Sequence, residues 1–333
     1  MIFYYLGIDH KNASLEEREK AYSLRHDIRK FWQFRSGKAE ILFTCNRVEI
    51  YAVATSVLAA NANITAFKKS FPGIFGKARI GLGKHSVSRH FLSLSVGLVS
   101  RILGEKQIVK QLDSWLRQNG FDPDLREYLK GILYKGHEIR KRLLYDTYIS
   151  GDIADIVIKD VLSKTGPLKG KKVLIIGTGK VAQLFAGKRI EGADIYIVAR
   201  KKHSRAKRLA EWMGGQAVLF TEANDLMRSA DIVISATSSP HRVIKSFPSG
   251  MNKKVRVYDL AVPRDIDPSV GEKWNIDLIN IDDLSGLIDK RNDMLYEYAK
   301  EARDLVERTI EELKAEENRY ADKTRNTLQP VGA

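Results

Sequence analysis

Lys172-Val173-Leu174-Ile175-Ile176-Gly177-Thr178-Gly179-Lys180-Val181-Ala182 runs a buried-strand pattern straight into G-x-G-x-x-A at the head of a helix. The two glycines permit a tight turn and close approach of the backbone to a pyrophosphate. Ala182 permits close helix–strand packing, and the helix N-terminus faces the anion. A second strand, Asp194 to Ala199, follows at the spacing of a βαβ unit, and further strands are expected over Ala217 to Phe220, Asp231 to Thr237 and Val255 to Leu260. The pattern predicts a Rossmann-type sheet with a dinucleotide at its carboxyl edge. Gly177, Thr178, Gly179, Lys180 and Val181 would lie under the phosphates, and Thr237 and Ser238 would line the nicotinamide side. The second strand ends in Ala199-Arg200-Lys201-Lys202, where NAD-specific proteins carry an acid for the ribose hydroxyls. Arg200 and Lys201 suit a 2′-phosphate instead, so NADPH is the expected cofactor. A solvated basic turn is the plainer reading of the same residues.

Working outward, the turn-rich Thr165-Gly166-Pro167-Leu168-Lys169-Gly170 marks a boundary on the amino side of this motif. A length of 333 residues suggests two or three domains, and 44% hydrophobic residues supply sizeable cores. One cysteine excludes an intramolecular disulfide and fits a reducing compartment. Ile2 to Ile8 is too short for a signal segment with its cleavage site, and no apolar run reaches membrane-spanning length. A cytoplasmic protein with no membrane partner and no metal site is expected. Lys+Arg of 56 against Asp+Glu of 41 leaves +15. That excess fits a polyanionic partner, with generic solubilising charge as the alternative. It is spread along the chain, with short clusters at Arg140-Lys141-Arg142 and Arg200-Lys201-Lys202.

Upstream of the boundary the pattern is α+β. Ile2 to Ile8 reads as a strand, and Ser14-Leu15-Glu16-Glu17 as a capping box opening a helix towards Phe34. Two β-rich runs, Ala39 to Phe43 and Val48 to Ala54, are interrupted by four polar positions and predict strands meeting at a tight connection. A helix follows from about Ser56 to Ser70, Phe71-Pro72-Gly73 breaks it, and helical pattern resumes near Ser86. From Asp122 to about Val161 apolar residues again fall at helical spacing. The tight connection holds Cys45, flanked by Thr44, Asn46 and Arg47. A neighbouring cation favours the thiolate, the form that attacks carbonyls. A buried structural cysteine is the competing reading, and the Arg and Asn beside the thiol favour the reactive one. After Asp282 one helix is expected to about Arg319, with a near-heptad stripe through Leu284, Leu287, Leu295, Tyr298, Ala302, Leu305 and Leu313. Its length suggests a coiled-coil-like partner surface and a homodimer; a helix lying on its own domain is the alternative.

A further constellation lies between His90 and Ile108, where Ser100, Glu105 and Gln107 surround Gly104, a position at which the chain can turn. Thr44-Cys45-Asn46-Arg47-Val48-Glu49 resembles the nucleophile segment of the glutamyl-tRNA reductase family, which makes glutamate-1-semialdehyde for tetrapyrrole synthesis. Gly7 to Ala13, Arg18-Glu19-Lys20, His90 to Ile108 and Asp259 to Pro268 resemble further segments of that family in the same order. The resemblance implies that Cys45 attacks the glutamyl ester and releases tRNA, after which NADPH reduces the thioester. By the same resemblance Arg47 pairs with the substrate's side-chain carboxylate, and His90 polarises the carbonyl or handles a proton. Thr44, Asn46, Ser100, Glu105 and Gln107 would orient the substrate, Glu105 being a natural partner for its ammonium group. Val99 stands where the family carries an acid, and Arg101 and Lys106 are also departures.

The expected architecture is α/β: an α+β catalytic domain over residues 1–145, a linker over 146–168, a Rossmann-type NADPH-binding domain over 169–280, and a C-terminal helical region over 281–333. That last region corresponds to a shortened form of the family's dimerisation domain. The implied partners are glutamyl-tRNA, a second copy of the chain, and the next pathway enzyme as acceptor of the aldehyde. Two other readings stand beside this one. A non-catalytic NADPH-binding regulatory paralogue would not need Cys45, Arg47 and His90. A dehydrogenase of a free metabolite, resembling shikimate dehydrogenase, leaves Thr44 to Glu49 without a role.

Overall fold

The computed structural model describes residues 1–33, 39–118, 122–143, 151–188, 190–199 and 203–327. The chain opens with β1 (Ile2–Asp9), α1 (Leu15–Ser23), α2 (Arg25–Gln33), β2 (Ala39–Thr44) and β3 (Arg47–Ala54). Then come α3 (Val57–Ser70), α4 (Pro72–Phe75), β4 (Arg79–Leu82), α5 (Lys84–Ser95), α6 (Gln107–Leu116) and α7 (Pro123–Arg142). The next stretch alternates: α8 (Ile153–Thr165), β5 (Lys172–Ile176), α9 (Lys180–Ala186), β6 (Asp194–Ala199), α10 (His203–Met213) and β7 (Gln216–Leu219). It closes with α11 (Ala223–Ser229), β8 (Ile232–Ser235), β9 (Val255–Asp259), β10 (Ile276–Asn280), α12 (Ser285–Asp293) and α13 (Tyr296–Thr327).

These elements form two compact units. One comprises Met1–Ala13, Leu24–Ser150 and Met294–Ala333; the other comprises Ser14–Ser23 and Gly151–Asp293. The first is built on an antiparallel sheet of order β2-β3-β1-β4. Its central strand β3 is buried along all eight residues, because helices cover both faces. Phe3, Tyr5, Tyr51 and Val53 share a core with α5, α6 and α7. Tyr4, one residue out of phase, meets Trp32 of α2 on the other face. The apolar stripe of α13 enters the first of these cores: Tyr298, Ala302, Val306 and Ile310 are buried with Phe91, Leu92 and Leu133. Tyr298 Oη also donates to the Val96 carbonyl at 2.7 Å. Burying each Val or Ile there contributes about 1.5–3 kcal/mol. The stripe read as a partner surface is therefore covered by the chain's own α5 and α7. Periodicity reports that a helix has an apolar face, and says nothing of what lies against it.

The second unit is a six-stranded sheet of order β10-β9-β8-β5-β6-β7, parallel at every pairing. The chain starts at β5, winds outward through β6 and β7, then returns to build β8, β9 and β10 on the other side. That is the doubly wound order, with its switch point between β5 and β8. Helix α1 belongs to this unit despite its place near the amino terminus. Arg18, 2% exposed, donates twice to Asp282 at 2.7 and 2.8 Å, and Glu19 accepts from Arg264 Nη2 at 2.7 Å.

Two helices expected to be continuous are each broken where the chain passes between units. The first forms its capping box as expected, with Ser14 N donating to Glu17 at 2.8 Å and Glu17 N to Ser14 Oγ at 3.2 Å. It then ends at Ser23, whose hydroxyl donates to the Lys20 carbonyl at 2.8 Å. The second divides between α12 and α13 at Met294 and Leu295. Strands β4 and β10 were not anticipated; Arg-Ile-Gly-Leu is too short and too glycine-broken to register as a strand on its own. Among the described residues no helix is long and apolar enough to cross a membrane.

Candidate functional site

Strands β2 and β3 pair with Thr44 opposite Arg47, which leaves Cys45 and Asn46 as a two-residue turn. The half-buried Cys45 thus sits at a hairpin tip, as the polar interruption predicts. Asn46 N donates to Thr44 Oγ1 at 3.3 Å, and His10 N donates to the Asn46 carbonyl at 3.0 Å, tying the tip to the segment after β1. The Asn46 side-chain oxygen is buried without a hydrogen-bond partner.

Alternation along β3 puts Arg47, Glu49 and Tyr51 on one face. Gly7 stands opposite Glu49, and a Cβ on Gly7 would lie 2.6 Å from Glu49 Cγ. The glycine makes room for the acid. Glu49 is the hub of the cluster. Its Oε1 accepts from Arg47 Nη1 at 2.7 Å and lies 3.0 Å from His90 Nε2, while Oε2 accepts from Tyr51 Oη at 2.7 Å. Burial alone would raise the Glu49 carboxyl, but His90, Arg47 and the bonds from His90 and Tyr51 outweigh it. They hold the acid well below the usual carboxylate range. An ionised carboxylate only accepts, so Nε2 is the protonated nitrogen of His90 and Nδ1 is left for other work. Tyr5 stacks on the imidazole at 4.1 Å and 9° between planes, fixing the ring. Burial pushes Tyr51 well above its ordinary value, and the Glu49 charge adds to this.

Arg47 is 1% exposed and also donates to the Val99 carbonyl at 2.5 Å, next to Ser100. The loop carrying Ser100 and Glu105 is pinched shut by two glycines with positive φ, Gly97 and Gly104. Gly104 N donates to the Gly97 carbonyl at 3.1 Å, and a Cβ on Gly97 would meet Gly104 Cα at 2.8 Å. Ser100 is buried with its hydroxyl unpartnered. Glu105 and Gln107 are half-buried, Gln107 opening α6. Hence Arg47 and His90 meet on Glu49, Arg47 reaches the Ser100 loop, and Cys45 lies two residues from Arg47 on the same hairpin.

In the second unit Gly177 follows β5 with φ of 114°, and a Cβ there would lie 2.6 Å from the Ala236 carbonyl. At Gly179 a Cβ would meet nothing nearer than 3.7 Å, so the loop stays open. Lys180 and Val181 open α9. Beside them is a cleft of about 340 Å³ lined by Gly177, Thr178, Gly179, Val198, Arg205, Phe220, Thr237 and Ser238, with no carboxylate among the described lining residues. A narrow glycine cradle, an apolar wall and a cation fit a dinucleotide with an anionic tail. Arg200 and Lys201, named from the sequence, lie outside the described residues.

Thr237 is held from below by Asp265, which accepts from its backbone N–H at 2.8 Å and from its hydroxyl, and from Ser235 Oγ at 2.7 Å. Asp259 lies beside Asp265 and accepts backbone N–H bonds from Ala261, Asp265 and Ile266. Burial, then the neighbouring Asp265 charge, outweighs those amides and pushes Asp259 up to about 7. Burial likewise raises Asp265. Sequence reading passed over Glu49, Asp265 and Arg205. An acid near an arginine reads as an exposed pair until the register with β1 is known, and Arg205 reads as one more cation on a basic helix.

Residues 6–144 match the family model for the glutamyl-tRNA reductase N-terminal domain, and residues 159–287 match that for shikimate/quinate 5-dehydrogenase. The glutamyl-tRNA reductase of Archaeoglobus fulgidus is 33% identical over 331 residues, covering 93% of this chain and 72% of that protein. Those of Maridesulfovibrio salexigens and Methanococcoides burtonii are each 31% identical. They cover 91% and 94% of this chain, and 73% and 76% of their own lengths.

Proposed function

The chain belongs to the glutamyl-tRNA reductase family of oxidoreductases, and from that premise we propose that it reduces glutamyl-tRNA to glutamate-1-semialdehyde through a thioester on Cys45. This is the first step of five-carbon tetrapyrrole synthesis. The observation that carries the reading is the Cys45 hairpin, whose second strand delivers Arg47 and Glu49 to His90.

Cys45 Sγ, as thiolate, attacks the ester carbonyl carbon. The bond to the terminal ribose oxygen breaks, and tRNA leaves once that oxygen has taken a proton. His90, with Nε2–H tied to Glu49, handles that proton at Nδ1. A thioester accepts hydride more readily than a carboxylate, so one hard step becomes two. Gly177, Thr178 and Gly179 would hold NADPH, with Arg205 available for its 2′-phosphate and Thr237 and Ser238 for its nicotinamide end, and the cofactor would supply that hydride. The carbon–sulfur bond then breaks and Cys45 returns as thiolate. Arg47 keeps further N–H donors for the substrate's side-chain carboxylate. The unpartnered Asn46 oxygen and Ser100 hydroxyl, polar atoms buried at a cost, fit contacts to the substrate's polar groups, with Glu105 facing its ammonium and Thr44 and Gln107 completing the pocket.

The reading places the protein in the cytoplasm, with glutamyl-tRNA as substrate and the next pathway enzyme as acceptor of the aldehyde. A homodimer belongs to the reading too, its seam lying outside the part of the α13 stripe (Tyr298, Ala302, Val306 and Ile310) that the chain's own core buries. The dehydrogenase match is confined to the nucleotide unit, so it bears on the cofactor and leaves the substrate to the hairpin.

Cys45→Ser is the test. Reduction of glutamyl-tRNA should fall by several orders of magnitude while NADPH binding survives. Wild-type protein deprived of NADPH should retain labelled glutamate in a hydroxylamine-sensitive linkage, and the variant should not. Near-normal turnover by the variant would make Cys45 structural and end the proposal.

A further inference from the structure

The amino edge of the parallel sheet, opposite the dinucleotide cleft, holds a larger cleft of about 520 Å³. It is lined by Lys164, Thr165, Lys171, Asp231, Lys254, Arg256 and Asp277. Five-residue β5 separates the two clefts by about 15 Å of strand. Both acids in the lining are already engaged. Asp231 accepts from the Lys172 backbone at 2.8 Å and from Lys253 Nζ at 2.5 Å. Asp277 is paired with Arg256, which also donates to Asp160. The side-chain ammonium groups of Lys164, Lys171 and Lys254 make no hydrogen bond or ion pair among the described residues, although the charge of Lys171 helps to keep Asp231 ionised. They come from three separate segments: the last turn of α8, the loop before β5 and the loop before β9.

A second feature lies on the same edge. Trp274 is 81% exposed and immediately precedes Asn275, whose carbonyl accepts from Val255 N at 2.8 Å. The indole's segment therefore runs beside the one carrying Lys254. Folding gains nothing from an indole left in water. Lysines without an ion-pair partner among the described residues, beside an exposed aromatic, are the elements of a nucleic-acid surface, ammonium groups for phosphates and a flat ring for a base.

We propose that this cleft is a tRNA contact remote from the reacting end, with Lys164, Lys171 and Lys254 holding successive backbone phosphates and Trp274 stacking an unpaired base. The proposal rests on glutamyl-tRNA being the substrate. Three ammonium groups on three segments suit a run of phosphates better than a single small anion.

The test uses the full chain with Lys164→Gln, Lys171→Gln and Lys254→Gln combined, titrated with glutamate-accepting tRNA over a salt series. Affinity should fall about tenfold or more near 0.1 M salt, and the slope of log K against log salt should become shallower by about 2–3. KM for glutamyl-tRNA should rise with kcat at saturation retained, and NADPH binding and melting temperature should not move. The matching triple Lys→Arg variant should bind as wild type does. Trp274→Ala should weaken binding about fivefold or more without altering the salt slope. A Gln variant that binds tRNA with wild-type affinity and slope overturns the proposal. So does one that loses affinity for inorganic phosphate alone while tRNA affinity is kept, which would make the cleft a small-anion site. Wild-type protein with no affinity for tRNA would defeat the substrate reading itself, before any lysine is replaced.

Discussion

Glu49 and Asp259 are both buried carboxylates, 2% and 1% exposed, and they lie on opposite sides of the usual carboxylate range. Glu49 meets the Arg47 guanidinium, the His90 N–H and a phenol, and they hold it ionised. Asp259 takes its hydrogen bonds from backbone amides and lies beside another acid, and burial drives it up to about 7. Burial costs both groups their hydration, so the partners decide the outcome. Backbone N–H donors do not offset the loss at Asp259, whereas His90, Arg47 and the Tyr51 hydroxyl more than offset it at Glu49. The first unit has built a fixed charge that orients a histidine. The second has built a readily protonated acid beside Asp265, the residue that holds Thr237.

Glu49→Ala should break the comparison most severely. It strands the Arg47 guanidinium, 1% exposed, without its hydrogen-bonded acid and with only the more distant charge of Asp9, at a cost of about 3–5 kcal/mol. Turnover should vanish as His90 loses the group that fixes its tautomer. Urea denaturation with parallel assays measures both, and a variant as stable as wild type would mean that Arg47 finds another partner.

Asp259→Asn probes the opposite case. Between about pH 4 and 7 the folded chain keeps a proton on Asp259 that the unfolded chain has lost, so this contribution to stability falls as pH rises through that window. Glu49 runs the other way, since below about pH 4.5 the unfolded chain takes up a proton that the folded site refuses. The asparagine should cost about 1–2 kcal/mol at pH 5, where its amide cannot serve every N–H that the acid accepts, and less at pH 8. An equal cost at both pH values would show Asp259 to be ionised throughout.

Glu307→Ala should do least. Its pair with Arg89 is bidentate at 2.8–3.1 Å, yet both side chains are about half exposed. Water and salt screen such a pair to about 1 kcal/mol or less. A loss several times larger would place α13 under electrostatic rather than apolar control.

What the sequence made legible follows from how local each signal is. Gly177, Thr178 and Gly179 are adjacent along the chain, and the βαβ pattern alone brings Thr237 and Ser238 to the same cleft. The Cys45 turn could be read because four polar residues interrupt two apolar runs. Glu49 could not. Its role depends on the pairing of β3 with β1, on the missing side chain of Gly7, and on a histidine 41 residues away. Likewise α13 declares its stripe in the sequence, while the helices that cover it lie about 200 residues earlier, as the Tyr298–Val96 bond measures.

Helix α1 also bears on the order in which the protein is made. Residues 14–23 leave the ribosome well ahead of Arg264 and Asp282, which hold Glu19 and Arg18 and follow 245 and 264 residues later. At about 5–20 residues per second, α1 waits roughly 12–50 s for its docking partners. Nine residues are too few to sustain a helix alone in water over that interval. The nascent chain therefore carries a loose tether between β1 and α2 until those residues emerge, and the nucleotide unit closes only when nearly all of its own sequence has been translated.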